Sequence, residues 1–281
     1  MLEAYNINDS VNHYAVFGNP VEHSKSPLIH QLFAEQFGLS IKYQAIPVEP
    51  GMFFEAVTEF YKLGGKGINV TVPFKQDAYE ACEILTQRAK ICQSVNTSWL
   101  DKEGRINGDT TDGQGLINDL VTNNNIVLQG KSILIMGAGG TVRSILQPLL
   151  QLKPDSLTIV NRTVSRAQSL AIQFSNEGLV SACSYSDLQV KRFDLIVNAT
   201  SLSLQGELPP LPAGVLNHAA ACYDLMYGDE DTVFMQWARS NGAGQVLDGL
   251  GMLVEQAAIG FQIWHGKKPD TASVIAKLRT G

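Results

Sequence analysis

The sequence predicts an α/β protein of two domains, in which a small α/β domain precedes a second domain built on a parallel sheet. Three observations predict this class. Strand-like and helix-like segments alternate along the first part of the chain, a glycine-rich turn joins an apolar run to a helical pattern in the middle, and a long apolar helical stretch follows the last strand. The chain has 281 residues, of which 44% are hydrophobic and 17% charged, as expected for two globular domains.

The first domain is predicted from signals that follow one another at short intervals. Ser26 and Pro27 predict a helix start, with the serine as N-cap and the proline at the first helical position. Gly64 and Gly65 end the next helix, and Pro73 ends the strand after it. The predicted strands lie at 14–17, 42–47, 67–72, 95–100 and 105–107, and the predicted helices at 27–37, 52–61 and from 74 to about 91.

The second domain follows from the same signals, and Asp112 is predicted to open the helix that leads into it. Its predicted elements are a helix at 113–123, strands at 133–136, 157–160, 193–198 and 220–225, and a helix at 231–239. Two more helices, at 252–265 and 271–279, are expected to return to the first domain. The predicted boundaries are therefore 1–112, completed by 248–281, and 113–247.

A glycine-rich turn lies between two predicted strands of the second domain. An apolar run leads directly into Gly137-Ala138-Gly139-Gly140, and a helical pattern follows from Thr141. Gly137 permits a tight turn, Gly139 lets the backbone approach a pyrophosphate, and the amides at the helix start meet phosphates at the positive end of the helix dipole. Alone, these residues also fit an ordinary strand–turn–helix junction. Their place between two strands predicts a dinucleotide-binding unit of the Rossmann type.

The residues after the second strand of this unit indicate which dinucleotide is bound. NAD-binding proteins usually have an aspartate or glutamate here, which holds the ribose 2′-hydroxyl. This chain has Asn161-Arg162-Thr163, with Arg166 one helical turn later. A carboxylate would repel a 2′-phosphate, whereas guanidinium groups attract it. The stretch therefore predicts NADP as the cofactor.

Composition and charge argue against several other partners. The net charge of −6 argues against a nucleic-acid or membrane surface. The first residues lack the basic segment and apolar core of a signal peptide, and no apolar run has the length of a membrane span. The four cysteines show no C-x-x-C or metal-ligand spacing, so we expect reduced thiols in a cytoplasmic protein and no metal site. The sequence leaves a homodimer open.

Short polar motifs outside the glycine-rich unit occur in a distinctive order. They read EHSKSP at 22–27, NVTVPFK at 69–75, NT at 96–97, GDTTDG at 108–113, NATS at 198–201, YDLMY at 223–227 and GLGMLVEQA at 249–257. Together with the glycine-rich turn, these motifs closely resemble shikimate dehydrogenase. Their order and spacing match that family from about residue 14 to about residue 272. The resemblance implies reversible hydride transfer between NADPH and the ketone of 3-dehydroshikimate, which gives shikimate in chorismate and aromatic amino acid biosynthesis. It also implies a substrate domain and a Rossmann-type NADP domain with a cleft between them.

Lys75 and Asp112 are the catalytic pair that the resemblance implies. On sequence alone, a lysine after a strand and a proline is usually a surface residue, and an aspartate before a helix is usually an N-cap. The chemistry needs such a pair, because hydride addition to a ketone creates an alkoxide that requires a proton and a nearby positive charge. We expect Lys75 to be the general acid in ketone reduction, and Asp112 to orient it and bind a hydroxyl.

Two serines at a helix start are predicted to bind a carboxylate. The hydroxyls of Ser24 and Ser26, with the amides and dipole of the helix start, form a suitable site, and the resemblance implies that both hold the shikimate carboxylate. A loop hydroxyl at Ser24 and a plain N-cap at Ser26 are the alternatives.

Neutral polar residues complete the site that the resemblance implies. Met252 and Gln256 share one face of the long apolar helix. A buried glutamine there needs hydrogen-bond partners, and the hydroxyl groups of a polyol supply them. We therefore expect this helix to return to the first domain, and an exposed glutamine on a surface helix is the alternative. The implied substrate-binding residues are Thr71, Asn96, Tyr227 and Gln256, and the further cofactor-binding residues are Thr200, Leu225 and Gly249.

Two other functions remain open on the sequence. One is a quinate/shikimate dehydrogenase of broader substrate range. Steady-state rates with both acids and both cofactors would distinguish it from a shikimate dehydrogenase. The other is a ligand-sensing protein that kept the fold without turnover, against which the retention of Lys75 and Asp112 argues.

Overall fold

The first sheet combines parallel strands with an antiparallel hairpin. The computed structural model describes residues 11–189 and 191–280. The strands of this sheet are β1 (Asn12–Gly18), β2 (Ile41–Pro47), β3 (Gly67–Val70), β4 (Ile84–Leu85), β5 (Thr97–Leu100) and β6 (Ile106–Asp109), in the order β2-β1-β3-β5-β6-β4. The helices between them are α1 (Ser26–Gln36), α2 (Phe53–Lys62), α3 (Lys75–Ala81) and α4 (Gln87–Cys92). The predicted hairpin is confirmed, since β5 and β6 pair in antiparallel register.

Two local predictions for this sheet and its helices are wrong. Ser26 is not the N-cap of α1, because Lys25 holds that position and Ser26 is the first helical residue. The Ser26 amide instead donates to the Ser24 hydroxyl at 3.2 Å, so the preceding serine satisfies it. The helix predicted from 74 to about 91 is also interrupted, because Cys82 is extended and the backbone of β4 pairs with β6.

The second sheet is parallel throughout its described pairs. It contains β7 (Ser132–Met136), β8 (Ser156–Val160), β9 (Val180–Cys183), β10 (Phe193–Asn198), β11 (Leu216–Asp224) and β12 (Gln245–Leu247), in the order β12-β11-β10-β7-β8-β9. Its helices are α5 (Asp112–Ile117), which continues as a π-helix over Asn118–Asn123, then α6 (Gly140–Gln151), α7 (Val164–Gln173) and α8 (Val233–Ser240). The strand order reverses between β7 and β10, where doubly wound sheets bind their ligands. The predicted α/β class is confirmed.

The chain divides into two compact units. The first contains the described residues up to Gly115 and those from Leu253 onward, and the second contains Leu116–Met252. The last helices are α9 (Leu250–His265) and α10 (Thr271–Thr280). No helix among the described residues is both long enough and apolar enough to cross a bilayer.

The predicted return of the terminal helices to the first unit is confirmed by their packing. Phe261 of α9 and Val274 of α10 share an apolar core with Phe33 of α1. Further along α9, the Trp264 ring covers Gly67, where a Cβ would overlap the indole, and Trp264 Nε1 donates to a β5 carbonyl at 3.2 Å. The C-terminal helices are therefore part of the structure that supports the first sheet.

A buried histidine lies where α1 meets α9. The His30 ring stacks on Tyr43 with centroids 4.3 Å apart and lies 5.2 Å from Trp264. Neither ring nitrogen has a partner in hydrogen-bond geometry among the described residues. Burial, helped by the charge of His265 and only partly opposed by Asn69, lowers the pKa of His30 to about 3. The folded protein therefore holds this imidazole neutral.

We expect this histidine to make the protein less stable in mild acid. In the unfolded chain His30 binds a proton near its ordinary pKa of 6.5, whereas in the folded protein it binds one only near 3. The unfolded state therefore gains protons as pH falls from about 6.5 towards 3, and the free energy of unfolding decreases by at most ~1.4 kcal/mol per pH unit from this group. Urea unfolding at about pH 7.5 and about pH 5 measures this loss.

The variant His30→Phe keeps an aromatic ring but cannot titrate. Between the two pH values, this variant should lose less stability than the parent protein. Some acid destabilisation should remain, because burial also lowers the pKa of His265. Both proteins should respond equally to a change between about pH 7.5 and 8.5, where His30 is neutral in either state. Equal acid losses in the two proteins would contradict this assignment.

Candidate active site

An ion pair joins the two residues expected to be catalytic. Lys75 Nζ lies 2.6 Å from Asp112 Oδ2, and the two side chains are only 11% and 8% exposed. Lys75 is the first residue of α3, whose start is held because Val95 N donates to Lys75 O at 2.9 Å. Asp112 is the first residue of α5, shortly after β6. The alternative of a surface lysine is therefore wrong, and the pair is brought together within the first unit.

Asn96 connects the ion pair to neutral polar groups. Asn96 Nδ2 donates to Asp112 Oδ1 at 2.8 Å and to Thr111 Oγ1 at 2.9 Å. In return, Thr111 N donates to Asn96 Oδ1 at 2.8 Å. The backbone is fixed as well, because Asn96 N donates to Asp109 O at 3.0 Å. One oxygen of the Asp112 carboxylate is thus held by an amide and the other by an ammonium, which fixes the plane of the carboxylate.

Gln256 of α9 reaches the same cluster. Gln256 Oε1 accepts from Asn96 Nδ2 at 3.2 Å and from Thr111 Oγ1 at 3.4 Å, and Gln256 Nε2 donates to Leu253 O at 2.8 Å. The helices approach closely here, since a Cβ on Gly115 would lie 2.7 Å from Gln256 Cβ. Gln256 is buried, so the alternative of an exposed glutamine on a surface helix is wrong.

Tyr43 and Asn69 belong to this polar network but are absent from the predicted site. Tyr43 Oη donates to Asn69 Oδ1 at 2.7 Å, and Asn69 Nδ2 donates to Asn96 O at 3.1 Å and to Thr97 Oγ1 at 3.0 Å. Desolvation raises the pKa of Tyr43 well above its ordinary value, against an opposing hydrogen bond with Ser26, so its hydroxyl is neutral. The sequence signal for Tyr43 is weak, because tyrosine is common in edge strands for its packing alone.

Ser24, Ser26 and Thr71 lie beyond the carboxyl ends of neighbouring strands. The two serines are at the start of α1, after β1, and Thr71 directly follows β3. Thr71 N donates to Phe17 O at 2.8 Å, and the Thr71 methyl covers Gly18, where a Cβ would overlap it. Because β1 and β3 are parallel neighbours, their following loops meet at one edge of the sheet. Hydroxyl donors and acceptors are therefore available at this edge.

In the second unit, the glycine-rich turn has the geometry of a phosphate cradle. Gly137 has a φ of +109°, and a Cβ there would lie 3.0 Å from Ala199 O. Gly139 is the N-cap of α6, and a Cβ on Gly139 or Gly140 would meet no described atom within 4 Å. The start of α6 is thus open for close approach of a pyrophosphate to backbone amides. The predicted residues of this turn are Gly137, Ala138, Gly139, Gly140 and Thr141.

Two arginines lie just past the end of β8, beside this turn in the sheet. Arg162 and Arg166 are exposed, and neither makes an ion pair with a described residue. Asn161 Nδ2 donates to Thr163 O at 2.8 Å, and Thr163 is the N-cap of α7, so the loop that carries Arg162 is closed by local bonds. Two uncompensated guanidinium groups therefore face solvent where the ribose of a dinucleotide lies in this fold.

The remaining predicted residues of the second unit follow β10 and β11. Thr200 N and Thr200 Oγ1 donate to Asn198 Oδ1 at 3.1 and 2.7 Å, and Leu225 N donates to Asn198 O at 2.9 Å. Gly249 packs so closely on Leu225 that a Cβ would overlap the Leu225 carbonyl. The structure thus brings Thr200, Leu225 and Gly249 together. Tyr227 comes shortly after β11 and is half-buried, which raises the pKa of its hydroxyl.

Three stretches of the chain match known protein families. Residues 16–98 match the shikimate dehydrogenase substrate binding domain, residues 119–205 match shikimate / quinate 5-dehydrogenase, and residues 249–279 match the shikimate 5'-dehydrogenase C-terminal domain. The matches follow one another along the chain and cover most of it.

Similar proteins extend over almost the whole chain. The shikimate dehydrogenase (NADP(+)) of Hahella chejuensis is 49% identical over 268 residues, and that of Alkalilimnicola ehrlichii is 50% identical over 266 residues. Each alignment covers 95% of this chain and 98% of the relative. Among solved structures, shikimate 5-dehydrogenase from Thermus thermophilus in complex with NADP(H) and shikimate is 31% identical, with a TM-score of 0.85, and the alignment covers 96% of this chain and 99% of the other. An Ael1 enzyme from Pseudomonas putida is 41% identical with a TM-score of 0.87, over 95% and 98% of the two chains.

Proposed function

The chain belongs to the shikimate dehydrogenase family, and we propose that it catalyses the reversible NADP-dependent reduction of 3-dehydroshikimate to shikimate. The observation that carries this proposal is the buried Lys75–Asp112 ion pair, surrounded by neutral hydrogen-bonding side chains. The relatives about half identical over nearly the whole chain bear the name of this activity. We assign most of the substrate-binding residues to the first unit and NADP binding to the second.

We assign to Lys75 the supply of the proton that ketone reduction requires. NADPH, when bound, supplies the hydride that reaches the ketone carbon. The carbonyl oxygen then gains negative charge, and the Lys75 ammonium donates a proton to it from Nζ, which leaves a neutral amine to be reprotonated from solvent. Asp112 holds Lys75 Nζ in position through the 2.6 Å ion pair. In the oxidative direction the neutral amine accepts the proton of the shikimate hydroxyl.

The neutral residues around this pair are suited to bind a polyol without adding charge. We assign Asn96, Gln256 and Thr71 to substrate hydroxyls, because amide and hydroxyl groups both donate and accept. Ser24 and Ser26 at the start of α1 are assigned to the substrate carboxylate. Tyr227 is assigned to a substrate hydroxyl. Tyr43 supports this set by holding Asn69, which in turn donates to the Asn96 carbonyl.

The glycine-rich turn and the free arginines fit NADP. The open backbone at Gly139 and Gly140 is suited to the pyrophosphate, and we assign Arg162 and Arg166, with Asn161 and Thr163, to the 2′-phosphate. Thr200, Leu225 and Gly249 are assigned to the nicotinamide half.

Initial rates with shikimate and quinate, each with NADP⁺ and NAD⁺, test this function. We expect reduction of NADP⁺ with shikimate to have the highest kcat/KM, followed through the near-ultraviolet absorbance of the reduced nicotinamide. An equal kcat/KM for quinate would instead indicate an enzyme of broader range. Folded protein that binds NADP⁺ but does not oxidise shikimate would contradict the proposal and favour a ligand sensor.

Location and assembly complete the proposal. We propose a cytoplasmic protein, which is supported by four described cysteines that form no disulfide with one another. The sequence leaves a homodimer open, and light scattering coupled to size-exclusion chromatography decides it.

A further inference from the structure

A fully buried carboxylate connects the loops beyond β10 and β11. The Asp224 side chain is completely inaccessible to solvent and makes no ion pair with a described residue. Asp224 Oδ1 accepts from Asn198 Nδ2 at 3.2 Å and from Met226 N at 3.1 Å. Asp224 Oδ2 accepts from Ser203 Oγ at 2.9 Å and from Thr232 Oγ1 at 2.6 Å. Burying a carboxylate without a cation costs free energy of desolvation unless such donors satisfy it. A functional role would explain why this residue is an aspartate.

The position of Asp224 in the sheet relates it to one half of the cofactor. The strand order reverses between β7 and β10, and a dinucleotide lies across that point at the carboxyl ends of the strands. The free arginines past β8 mark the side of the 2′-phosphate, so the nicotinamide half extends to the other side, over β10 and β11. A Cβ on Gly137 would lie 3.0 Å from Ala199 O, which places the loop after β10 directly beside the phosphate cradle.

Asp224 fixes both loops on that side. Through Asn198 it holds Thr200, whose amide and hydroxyl donate to Asn198 Oδ1 at 3.1 and 2.7 Å. Through Ser203 it holds the other end of the same loop. The bond from Met226 N fixes the loop after β11, and Gly249 N also holds this loop by donating to Met226 O at 3.0 Å.

We propose that Asp224 is a positioning residue for the nicotinamide half of NADP. Four donors converge on its carboxylate, from the end of β10 and the loop after it, the loop after β11 and the start of α8, so it sets the spacing between the loops that bound this half of the cofactor. A carboxylate suits this role because its two oxygens can accept from all four donors. The inference rests on the proposed function, since it requires an NADP site in the second unit.

The variant Asp224→Asn tests the role with little change in volume. Met226 N cannot reverse its direction, so the asparagine oxygen is expected to face Asn198 and Met226 while its NH₂ group faces the two hydroxyls. Ser203 and Thr232 then lose their acceptor, and the loop after β10 loosens. We expect the Kd for NADP⁺ to rise about tenfold, the effect of losing one or two charge-assisted bonds.

A probe without nicotinamide separates positioning from general damage. Adenosine 2′,5′-bisphosphate carries the 2′-phosphate but not the nicotinamide half, so its Kd, measured by calorimetry, should stay within about twofold of the parent value. A parallel loss for both ligands would assign Asp224 a merely structural role and overturn the proposal, as would an unchanged NADP⁺ affinity. The matched control is Asp194→Asn at the other end of β10, where the carboxylate is partly exposed and pairs with Lys131, and both affinities should remain unchanged there.

A milder variant covers the case in which Asp224→Asn does not fold. Ser203→Ala removes a single donor and should raise the Kd for NADP⁺ about two- to fivefold without affecting the bisphosphate. Unchanged NADP⁺ binding in this variant would overturn the proposal. If the parent protein binds neither NADP⁺ nor the bisphosphate, both the proposed function and the role of Asp224 are wrong. This result is distinct from a loss of binding that is confined to the variants.

Discussion

Replacing Lys75 by alanine should lower kcat by about 10²–10⁴-fold in both directions while KM for shikimate changes little. The reason is that the ammonium meets charge that develops only in the transition state, whereas the hydroxyls of bound shikimate are held by neutral residues such as Asn96 and Gln256. The measurement is steady-state kinetics with shikimate and NADP⁺, and with the ketone and NADPH. A kcat close to that of the parent protein would remove Lys75 from the mechanism.

Two controls separate lost chemistry from lost structure. Lys75→Ala leaves the Asp112 carboxylate buried without its cation, so some loss of stability is expected, and circular dichroism and thermal unfolding must show that the variant is folded at the assay temperature. Lys66→Ala removes an exposed lysine at the opposite end of β3 and should leave kcat unchanged. Calorimetry with shikimate should give similar affinities for all three proteins.

The glycine-rich unit was predictable because its signals are local. Gly137 must adopt a φ of +109°, which residues other than glycine rarely tolerate, and the paired strands β7 and β8 are rich in buried apolar residues. Neighbours in sequence are here neighbours in space, since β7 and β8 pair directly. The same argument explains why the hairpin of β5 and β6 could be predicted.

Elements that depend on distant partners were not predictable. The two residues of β4 are extended because they pair with β6, more than twenty positions away, and nothing in their own sequence distinguishes them from helix. The sequence pattern predicts Ser26 as the N-cap of α1, whereas in the structure Lys25 holds that position and the Ser24 hydroxyl accepts the Ser26 amide. Tyr43 and Asn69 likewise enter the site only through bonds that link β2, β3 and β5.

The catalytic pair shows the limit of residue-level reasoning. Taken alone, Lys75 has the sequence pattern of a surface lysine and Asp112 that of an N-cap. Only the resemblance to a family pairs these two distant residues. The structure supplies the physical link, because Val95 N fixes the Lys75 carbonyl while Asn96 fixes the Asp112 carboxylate. These two holding residues are consecutive in sequence, so one short segment positions both partners.

Cofactor selectivity should depend on the two arginines past β8. The double variant Arg162→Ala/Arg166→Ala should raise KM for NADP⁺ by roughly 10²-fold or more, because each charge-assisted bond to a phosphate contributes about 1.5–3 kcal/mol. NAD⁺ has a hydroxyl in place of the 2′-phosphate, so kcat/KM for NAD⁺ should change little. The ratio of kcat/KM for the two cofactors is therefore the quantity to measure.

The exposure of these arginines makes the test specific. Neither makes an ion pair with a described residue, so their removal leaves no buried carboxylate unpaired and should not unfold the protein. Arg192→Ala is the matched control, because this exposed arginine precedes β10 and lies at the amino end of the same parallel sheet. An unchanged ratio in the double variant would show that the 2′-phosphate is bound elsewhere, whereas equal losses for NADP⁺ and NAD⁺ would assign the arginines to a part that both cofactors share.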